Sequence, residues 1–355
     1  MRYSLLSRFR GTVLGAALGE NYGFQYKPLT RLGVELETNV GVDTHACPGN
    51  QMAICAESLI RYGRINVEDL VHQLSLLQQP LLSSKNGAAS CSEIAVATLP
   101  VALFFHESKV ILREQLMLAS ATWLQANQKQ KGSQASDFQP RKTKELIQDC
   151  QPLTFSGGDN PKSKIQNPKS HDYTVVGGLA VGYAIAQALT EKLNPATLIE
   201  QTIAYLHDSQ APLVQQLAQV QTLLKQGATL EMALMHLCRD TQQRNPCTPI
   251  ALAFYCFLST PEDFRLSVTR AIRTGYQPQI TAALTGALSG VYNSLTGIPL
   301  EWRLSFNRSD SSKMLQLADS LLAVWSGVYD PSTAEPCPLV AVAAPNVMQR
   351  RHTGL

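Results

Sequence analysis

The stretch RFRGTVLGAALGENYG at residues 8–23 decides the fold of this chain. Its glycines recur at every fourth position, which places them along one slowly drifting face of a helix: Gly11, Gly15, Gly19 and Gly23. Each glycine costs a helix about 0.5–1 kcal/mol relative to alanine, so close approach of another backbone must offset them. We therefore predict a buried helix that carries Glu20 and Asn21 to an interior site. The alternative interpretation is that the glycines serve only helix packing and that the helix has no role in a site.

The composition favours a globular protein with much interior. Of 355 residues, 45% are hydrophobic and only 16% are charged, against a typical charged share of about 25%. The net charge of +3 is close to neutral, and the best basic run, Arg350 to His352, lies at the C-terminus and is interpreted as a solvated end. We expect neither a nucleic acid nor a membrane surface as a partner.

The eight cysteines include no CxxC pair. Several lie among apolar neighbours, so we interpret them as reduced, mostly buried thiols of a cytoplasmic protein; zinc ligation is the alternative. Arg8 and Arg10 interrupt any signal peptide. No run of about 20 apolar residues could span a membrane.

Helical periodicity with recognisable caps recurs along the chain, whereas strand signals are weak. Thr248-Pro249 and Thr260-Pro261 are each predicted to open a helix. The small residues Ala282, Gly286 and Gly290 make their helix the natural partner of the first one. The other predicted helices lie at residues 51–61, 67–78, 90–105, 109–128, 175–192, 196–206, 212–226, 230–239, 280–295 and 311–324.

These patterns predict one all-α domain at residues 1–330. Within it, residues 129–174 lose the helical pattern and are predicted to form a flexible insertion, either disordered or a mobile lid. Residues 331–355 are predicted to be a disordered tail. No internal repeat of fixed period supports a solenoid.

Four ordered motifs resemble the ADP-ribosylglycohydrolase family, which includes the enzyme that reactivates nitrogenase reductase. Gly19-Glu20 matches the glycine-acidic pair of the family's first helix, and residues 51–59 match the second half of its TDDTQMAL-like segment. Residues 86–89 with 99–102 resemble its NGAAMRVAPLAL segment. Residues 282–288 with Ile298-Pro299 resemble the helix after its GGDTDT loop. The resemblance spans about residues 8–303 and implies a compact orthogonal multi-helix bundle.

The family is implied to bind two magnesium ions through the side chains of TDDT and GGDTDT. Here the TDDT positions read Cys47-Pro48-Gly49-Asn50, and the GGDTDT positions read GYQPQI at residues 275–280. Four carboxylates are missing, and magnesium binds proteins chiefly through carboxylate oxygens. We therefore expect no metal, no cofactor and no confident catalytic residue. The candidate cleft or ligand-binding residues are Glu20, Cys47, Asn50, Tyr276, Gln277 and Gln279.

Other chemically suggestive residues have simpler interpretations. Asp43, Thr44 and His45 could form a metal or acid/base site, although a polar turn is favoured. His106 and His236 are interpreted as surface or satisfied residues, and Glu57 as an exposed helical one. Gly157 to Asp159 is interpreted as a turn. The aromatic residues that could stack on a ligand are Tyr276, Trp123 and Tyr22.

Three hypotheses of function remain open at this point. The favoured one is a pseudoenzyme whose cleft binds ADP-ribose, another nucleotide or a protein partner. The second is an active hydrolase with a site rebuilt around Glu20, Asp43 and His45. The third is a structural or scaffold subunit. The sequence leaves the oligomeric state undetermined.

Overall fold

The computed structural model describes residues 3–26, 48–76, 91–131, 171–207, 211–238, 245–306 and 308–328. This part of the chain is all-α and contains fifteen helices and no strand, which confirms the predicted fold class. In chain order they are α1 Leu5–Gln25, α2 Pro48–Tyr62, α3 Val67–Leu76, α4 Cys91–Ala97, α5 Leu99–Phe104, α6 Lys109–Lys131, α7 His171–Leu189, α8 Leu198–Leu206, α9 Pro212–Lys225, α10 Leu230–Leu237, α11 Thr248–Ser259, α12 Phe264–Arg273, α13 Pro278–Gly297, α14 Leu300–Ser305 and α15 Arg308–Trp325.

Helices α1 and α13 run antiparallel with their backbones in direct contact, and they are the most extensively packed helix pair of the described residues. A Cβ atom added to any of the four α1 glycines would overlap a carbonyl oxygen of α13. The pairs are Gly11 with Gly290, Gly15 with Gly286, Gly19 with Ala282 and Gly23 with Pro278. The predicted pairing of the two small-residue helices is therefore confirmed, and so is the reason for the glycines.

The other helices pack around this pair. Helices α11 and α12 pack against α13, while α7 joins α13 to α4, α5 and α6. On the opposite side of α1, the Arg10 guanidinium donates to both Asp319 oxygens of α15, at 2.6 and 2.7 Å. The core is aliphatic and aromatic, and its largest fully buried side chains include Trp123, Tyr255 and Phe9.

One predicted helix, at residues 90–105, is wrong as a single element. The structure divides it into α4 and α5 at Thr98, whose φ and ψ of −93° and 5° are not helical. The reason is Pro100, which lies in the first turn of α5 and has no N–H to continue the ladder. At the break, the Ile94 carbonyl accepts from both the N–H and the hydroxyl of Thr98, at 2.9 and 2.8 Å.

Several helix starts also differ from the prediction. Asp263, rather than Thr260, caps α12 through an oxygen that accepts from the Leu266 N–H at 2.8 Å. The N-cap position of α11 is occupied by Cys247, and Thr248 is the first residue of the helix. Helix α8 begins at Leu198, two residues later than predicted, with Thr197 at its N-cap position. In each case Thr-Pro or Asn-Pro forms a turn just before or within the first helical turn. Asn66 caps α3 by accepting from the Asp69 N–H at 3.2 Å, and Ser108 caps α6 by accepting from the Ile111 N–H at 3.4 Å.

The predicted insertion at residues 129–174 is too wide at both ends, because α6 continues to Lys131 and α7 begins at His171. Residues 132–170 and 329–355 lie outside the described residues, so the insertion and the tail stay predictions. The single domain at residues 1–330 also stays a prediction. Among the described helices, none has the length and apolar character needed to cross a bilayer.

The thiols of the described residues agree with the expectation of reduced cysteines. Cys55, Cys91, Cys247 and Cys256 are free and buried, and Cys238 is free and half-buried. Burial raises the pKa of the Cys256 thiol to about 12, because the interior disfavours the thiolate. Such thiols are poor nucleophiles.

The α1–α13 contact predicts that Gly19→Ala destabilises the protein by about 3 kcal/mol or more, since the new methyl group would overlap backbone atoms that have no room to move. Denaturant unfolding of the purified variant measures this loss. Gly178→Ala in α7 is the matched control. Its added Cβ would meet only side-chain oxygens, at 3.2 and 3.5 Å, so its stability should change by less than about 1 kcal/mol. Equal effects of the two substitutions would contradict the account.

Candidate functional site

Three helices converge on the carboxylate of Glu20. This side chain lies five residues before the end of α1 and is only 7% exposed. Its Oε2 accepts from the Gly49 N–H of α2 at 2.9 Å, and its Oε1 accepts from Gln279 Nε2 of α13 at 3.1 Å. The segments that align with the family's two ligand loops therefore meet at one buried carboxylate.

The geometry requires a glycine at position 49. A Cβ atom there would overlap Glu20 Oε2, so only a residue without a side chain lets the first turn of α2 approach the carboxylate. The predicted helix begins at residue 51, whereas the structure begins α2 three residues earlier, at Pro48. Glu20 thus acts as a capping group supplied from another helix.

The electrostatics of the junction favour an anion. The amino-terminal ends of α2 and α13 both carry unsatisfied N–H groups and a partial positive charge. Pro48 and Pro278 lie in the first turns of these helices, a position that proline favours. The buried negative charge of Glu20 lies where both helix dipoles stabilise it.

A tight turn at residues 274–277 precedes α13. Gly275 adopts a φ of +64° and Gln277 a φ of +41° with ψ +58°. Thr281 holds the turn, because its hydroxyl donates to the Tyr276 carbonyl at 2.7 Å and its N–H to the Gln277 carbonyl at 2.9 Å. The sequence gives no clear signal for this role of Thr281.

Gln277 carries two unfavourable features at once. Left-handed backbone costs a residue with a side chain about 1–2 kcal/mol. In addition, Gln277 Oε1 is buried and accepts no hydrogen bond from the described residues. An unsatisfied buried acceptor costs about 1–3 kcal/mol. The sequence predicted Gln277 as a candidate ligand-binding residue. It did not predict the left-handed backbone, because the preceding residues, Gly275 and Tyr276, do not indicate it.

The remaining candidate residues lie in different settings. Gln279 and Tyr276 are half-buried and Asn50 is exposed. Cys47, Asp43, Thr44 and His45 lie outside the described residues, as do residues 86–89 and 157–159. Glu57 and His236 are exposed, as expected.

Two of the proposed stacking residues are engaged within the fold. Trp123 is fully buried and its indole N–H donates to Gln51 Oε1 at 3.1 Å, so the suggestion that it stacks on a ligand is wrong. Tyr22 packs against Trp302 at 4.5 Å between ring centroids. The Tyr22 hydroxyl lies 2.6 Å from that of Ser305.

The residues described at this junction do not match the ligand preference of magnesium. Glu20 supplies a carboxylate, but each of its oxygens already accepts a hydrogen bond from a protein donor. Gly49 has no side chain, and Gln279 turns its amide nitrogen, not its oxygen, toward Glu20. Within the described ranges no group of three His, Cys, Asp or Glu side chains could hold a metal ion.

Comparison with known proteins supports the family resemblance. Residues 162–331 match the family model described as ADP-ribosylglycohydrolase. The fold is similar to a solved structure titled "ADP-ribosylglycohydrolase-related protein complex", with a TM-score of 0.52 and 15% identity over 91% of this chain and 99% of that one. At this identity the structural likeness concerns the fold. A search of curated protein sequences found no match.

The match over residues 162–331 and the shared fold support membership of the ADP-ribosylglycohydrolase family, which bears out the family resemblance. The family model begins at residue 162, so it covers the 282–288 motif but not Gly19-Glu20 or residues 51–59. For those segments the support comes from the fold, in which the helix that carries Gly19-Glu20 meets the start of the helix that carries residues 51–59 through the Glu20–Gly49 hydrogen bond.

His106 confirms the interpretation of a satisfied residue. It is 5% exposed, packs between Phe9 and Trp325, and its Nδ1 lies 2.7 Å from the Leu103 carbonyl oxygen. Burial lowers its pKa from 6.5 to about 4, because the interior disfavours the imidazolium.

This buried histidine predicts a pH dependence of stability. Its folded pKa lies below the unfolded value, so the unfolded state binds the proton first as the pH falls. Stability should therefore be lost between pH 6.5 and about pH 4, by about 3 kcal/mol from this group. Urea unfolding across this range should show a steeper loss for the parent than for His106→Phe. Parallel curves for the two proteins would contradict the assignment.

The Glu20 junction predicts that Glu20→Ala costs about 2–4 kcal/mol, because two donors lose a charged acceptor. Hydrogen exchange of the first turn of α2 should accelerate more than exchange elsewhere. Glu57→Ala, on the exposed face of the same α2, should change stability by no more than about 0.5 kcal/mol. Unchanged exchange in the first turn of α2 would show that Glu20 does not hold this helix.

Proposed function

We propose that this chain is a non-catalytic member of its family, an ADP-ribosylglycohydrolase-like pseudoenzyme whose cleft binds or senses a ligand. The observation that carries this proposal is the pairing of both Glu20 oxygens with protein donors, Gly49 N–H and Gln279 Nε2. The proposed site residues are Glu20, Asn50, Tyr276, Gln277 and Gln279, with Cys47 adjoining them in sequence.

The physical argument concerns charge. Two magnesium ions bring four positive charges within about 4 Å of each other and need several carboxylates for balance. Among the described residues of this junction, one carboxylate, that of Glu20, faces two helix amino-terminal ends. Adding cations would oppose those helix dipoles and displace donors that already satisfy Glu20. We therefore propose that the chain binds no magnesium pair and has lost metal-assisted hydrolysis.

A ligand of the ADP-ribose type suits this proposal, since the family resemblance implies a cleft and the Glu20 junction carries polar groups. Tyr276 is half-buried next to Gln277, where an aromatic ring can support a base or a sugar. We propose a cytoplasmic protein that binds no nucleic acid and no membrane.

A protein partner is a second candidate because α14 exposes two leucines one turn apart. Leu300 is 59% and Leu304 64% exposed, whereas single exposed apolar residues are ordinary on a protein surface. This helix also contacts α1 through the Tyr22 and Trp302 rings. A scaffold role would place the partner on α14 rather than at Glu20.

Calorimetric titration of the intact protein with ADP-ribose, in EDTA and in magnesium chloride, tests the proposal. We expect binding of equal affinity in both buffers and no release of ADP-ribose from a modified peptide. Magnesium-dependent release would favour the rebuilt hydrolase and overturn the proposal. No binding of ADP-ribose in either buffer would favour the protein partner. In that case the double variant Leu300→Ser/Leu304→Ser should abolish partner binding.

A gain-of-function variant tests the metal argument. Gln277→Asp/Gln279→Asp returns two carboxylates beside Glu20, so like charges should lower the stability in EDTA. Magnesium should then raise the Tm of this variant by mass action, but not that of the parent. Gln277→Asn/Gln279→Asn shortens the same side chains without adding charge, and its Tm should not respond to magnesium. A magnesium-dependent rise for the parent would contradict the account.

A further inference from the structure

We propose that Cys91 and Cys247 are a site of reversible oxidation, at which hydrogen peroxide converts the two thiols into a disulfide bond that joins α4 to α11. The two residues do not take part in the Glu20 junction. The inference is therefore independent of the proposed function, and each can fail without the other.

The two thiols lie where α4 packs against α11. Cys91 is the first residue of α4, and Cys247 occupies the N-cap position of α11. Each residue is 1% exposed. Their side chains hydrogen-bond to each other, so the two sulfur atoms face one another across the contact between the helices.

The packing around Gly177 of α7 supports this placement. A Cβ atom on Gly177 would overlap both Cys91 Sγ and Ile250 Cδ1, so the Cys91 sulfur and the Ile250 methyl group are close neighbours. Ile250 lies one turn into α11, and its N–H donates to the Cys247 carbonyl at 3.0 Å. The Cys91 sulfur is thus held beside the first turn of α11, where Cys247 is located.

This pair differs from the two other fully buried thiols of the described residues. Cys55 and Cys256 are also free, but neither forms a hydrogen bond with a second thiol within the described ranges. A disulfide needs two sulfur atoms that face each other, with Cα atoms no more than about 7 Å apart. Among the thiols of the described residues, Cys91 and Cys247 are therefore the pair placed for a bridge.

The two cysteines have different roles in the oxidation. The hydrogen bond with Cys247, together with burial, raises the pKa of the Cys91 thiol, so Cys91 keeps its proton. Cys247 is the attacking sulfur, because the first-turn N–H groups of α11 stabilise a thiolate at the N-cap position.

The chemistry proceeds in two steps. The Cys247 thiolate attacks one peroxide oxygen, the O–O bond breaks, and a sulfenic acid forms as the other oxygen leaves and becomes water. The Cys91 sulfur then attacks the sulfenic sulfur, and a second water leaves with the Cys91 proton. In total, two thiols and one peroxide yield one disulfide and two water molecules.

The position of both residues at helix ends explains how an oxidant reaches a buried pair. The ends of helices open locally at a lower free energy than the whole fold. Cys55 and Cys256 lie inside α2 and α11 instead. Oxidation of the folded protein should therefore reach Cys91 and Cys247 first.

Peptide mapping of the oxidised parent protein tests this inference. The intact protein is treated with hydrogen peroxide well below its Tm, the remaining thiols are alkylated in denaturant, and the peptides are identified by mass spectrometry. We expect a Cys91–Cys247 linked peptide that dithiothreitol releases. Free Cys91 and Cys247 should disappear about 10-fold faster than free Cys55 and Cys256.

The thermal stability of variants supplies a second readout. Oxidation should raise the Tm of the parent by about 5 °C or more, because the bond closes a long loop in the unfolded chain. Cys256→Ala, a matched control in α11, should show the same rise, whereas Cys91→Ala and Cys247→Ala should show none.

Three results would overturn the inference. They are recovery of Cys91 and Cys247 as free thiols or as sulfinic acids, oxidation of all four buried cysteines at one rate, and an equal rise in Tm for Cys91→Ala and the parent. The peptide map uses the parent protein, so it decides the question even where a variant fails to fold.

Discussion

The structure depends on the direct backbone contact between α1 and α13. Four glycines on one helix meet small residues or backbone on the other at every turn, and each added Cβ would overlap a carbonyl oxygen. Along this face, backbone atoms, which cannot change rotamer, fix the distance between the two helices. The remaining helices pack on the outside of this pair.

The junction at Glu20 follows from this constraint. Because α1 and α13 are antiparallel and held in one register, the end of α1 lies beside the start of α13, where Gly23 meets Pro278. Glu20 lies one turn earlier and so reaches Gln279. Gly49 then lets α2 approach the same carboxylate. The backbone packing thus positions the polar site, and the identity of a few side chains decides its chemistry.

Much of this arrangement could be predicted from the sequence, because small-residue spacing is a strong signal. The i, i+4 glycines of α1 and the Ala282, Gly286 and Gly290 series of α13 predict each other as partners. The predicted helix starts at residues 67 and 109 were equally direct, and the structure has both. The break at Thr98 and the cap at Asp263 were missed, since several polar residues near a proline compete for the same role.

The candidate site was less predictable for a physical reason. Sequence alignment identifies which carboxylates are absent, but it does not reveal what the remaining carboxylate contacts. The donors to Glu20 are a backbone N–H and an amide whose orientation is set by the tertiary structure. Likewise, the positive φ of Gln277 depends on how the turn at residues 274–277 enters α13. The donors to Glu20 and the backbone conformation of Gln277 depend on the tertiary structure, so the sequence alone does not predict them.

We propose that Glu20 serves the fold and does not bind a divalent cation. Manganese, which shares the oxygen ligands of magnesium, tests this most directly through the electron paramagnetic resonance signal of the free ion. We predict that adding the intact protein leaves the free-manganese signal unchanged. Stoichiometric loss of that signal, reversed in the Glu20→Gln variant, would contradict the account.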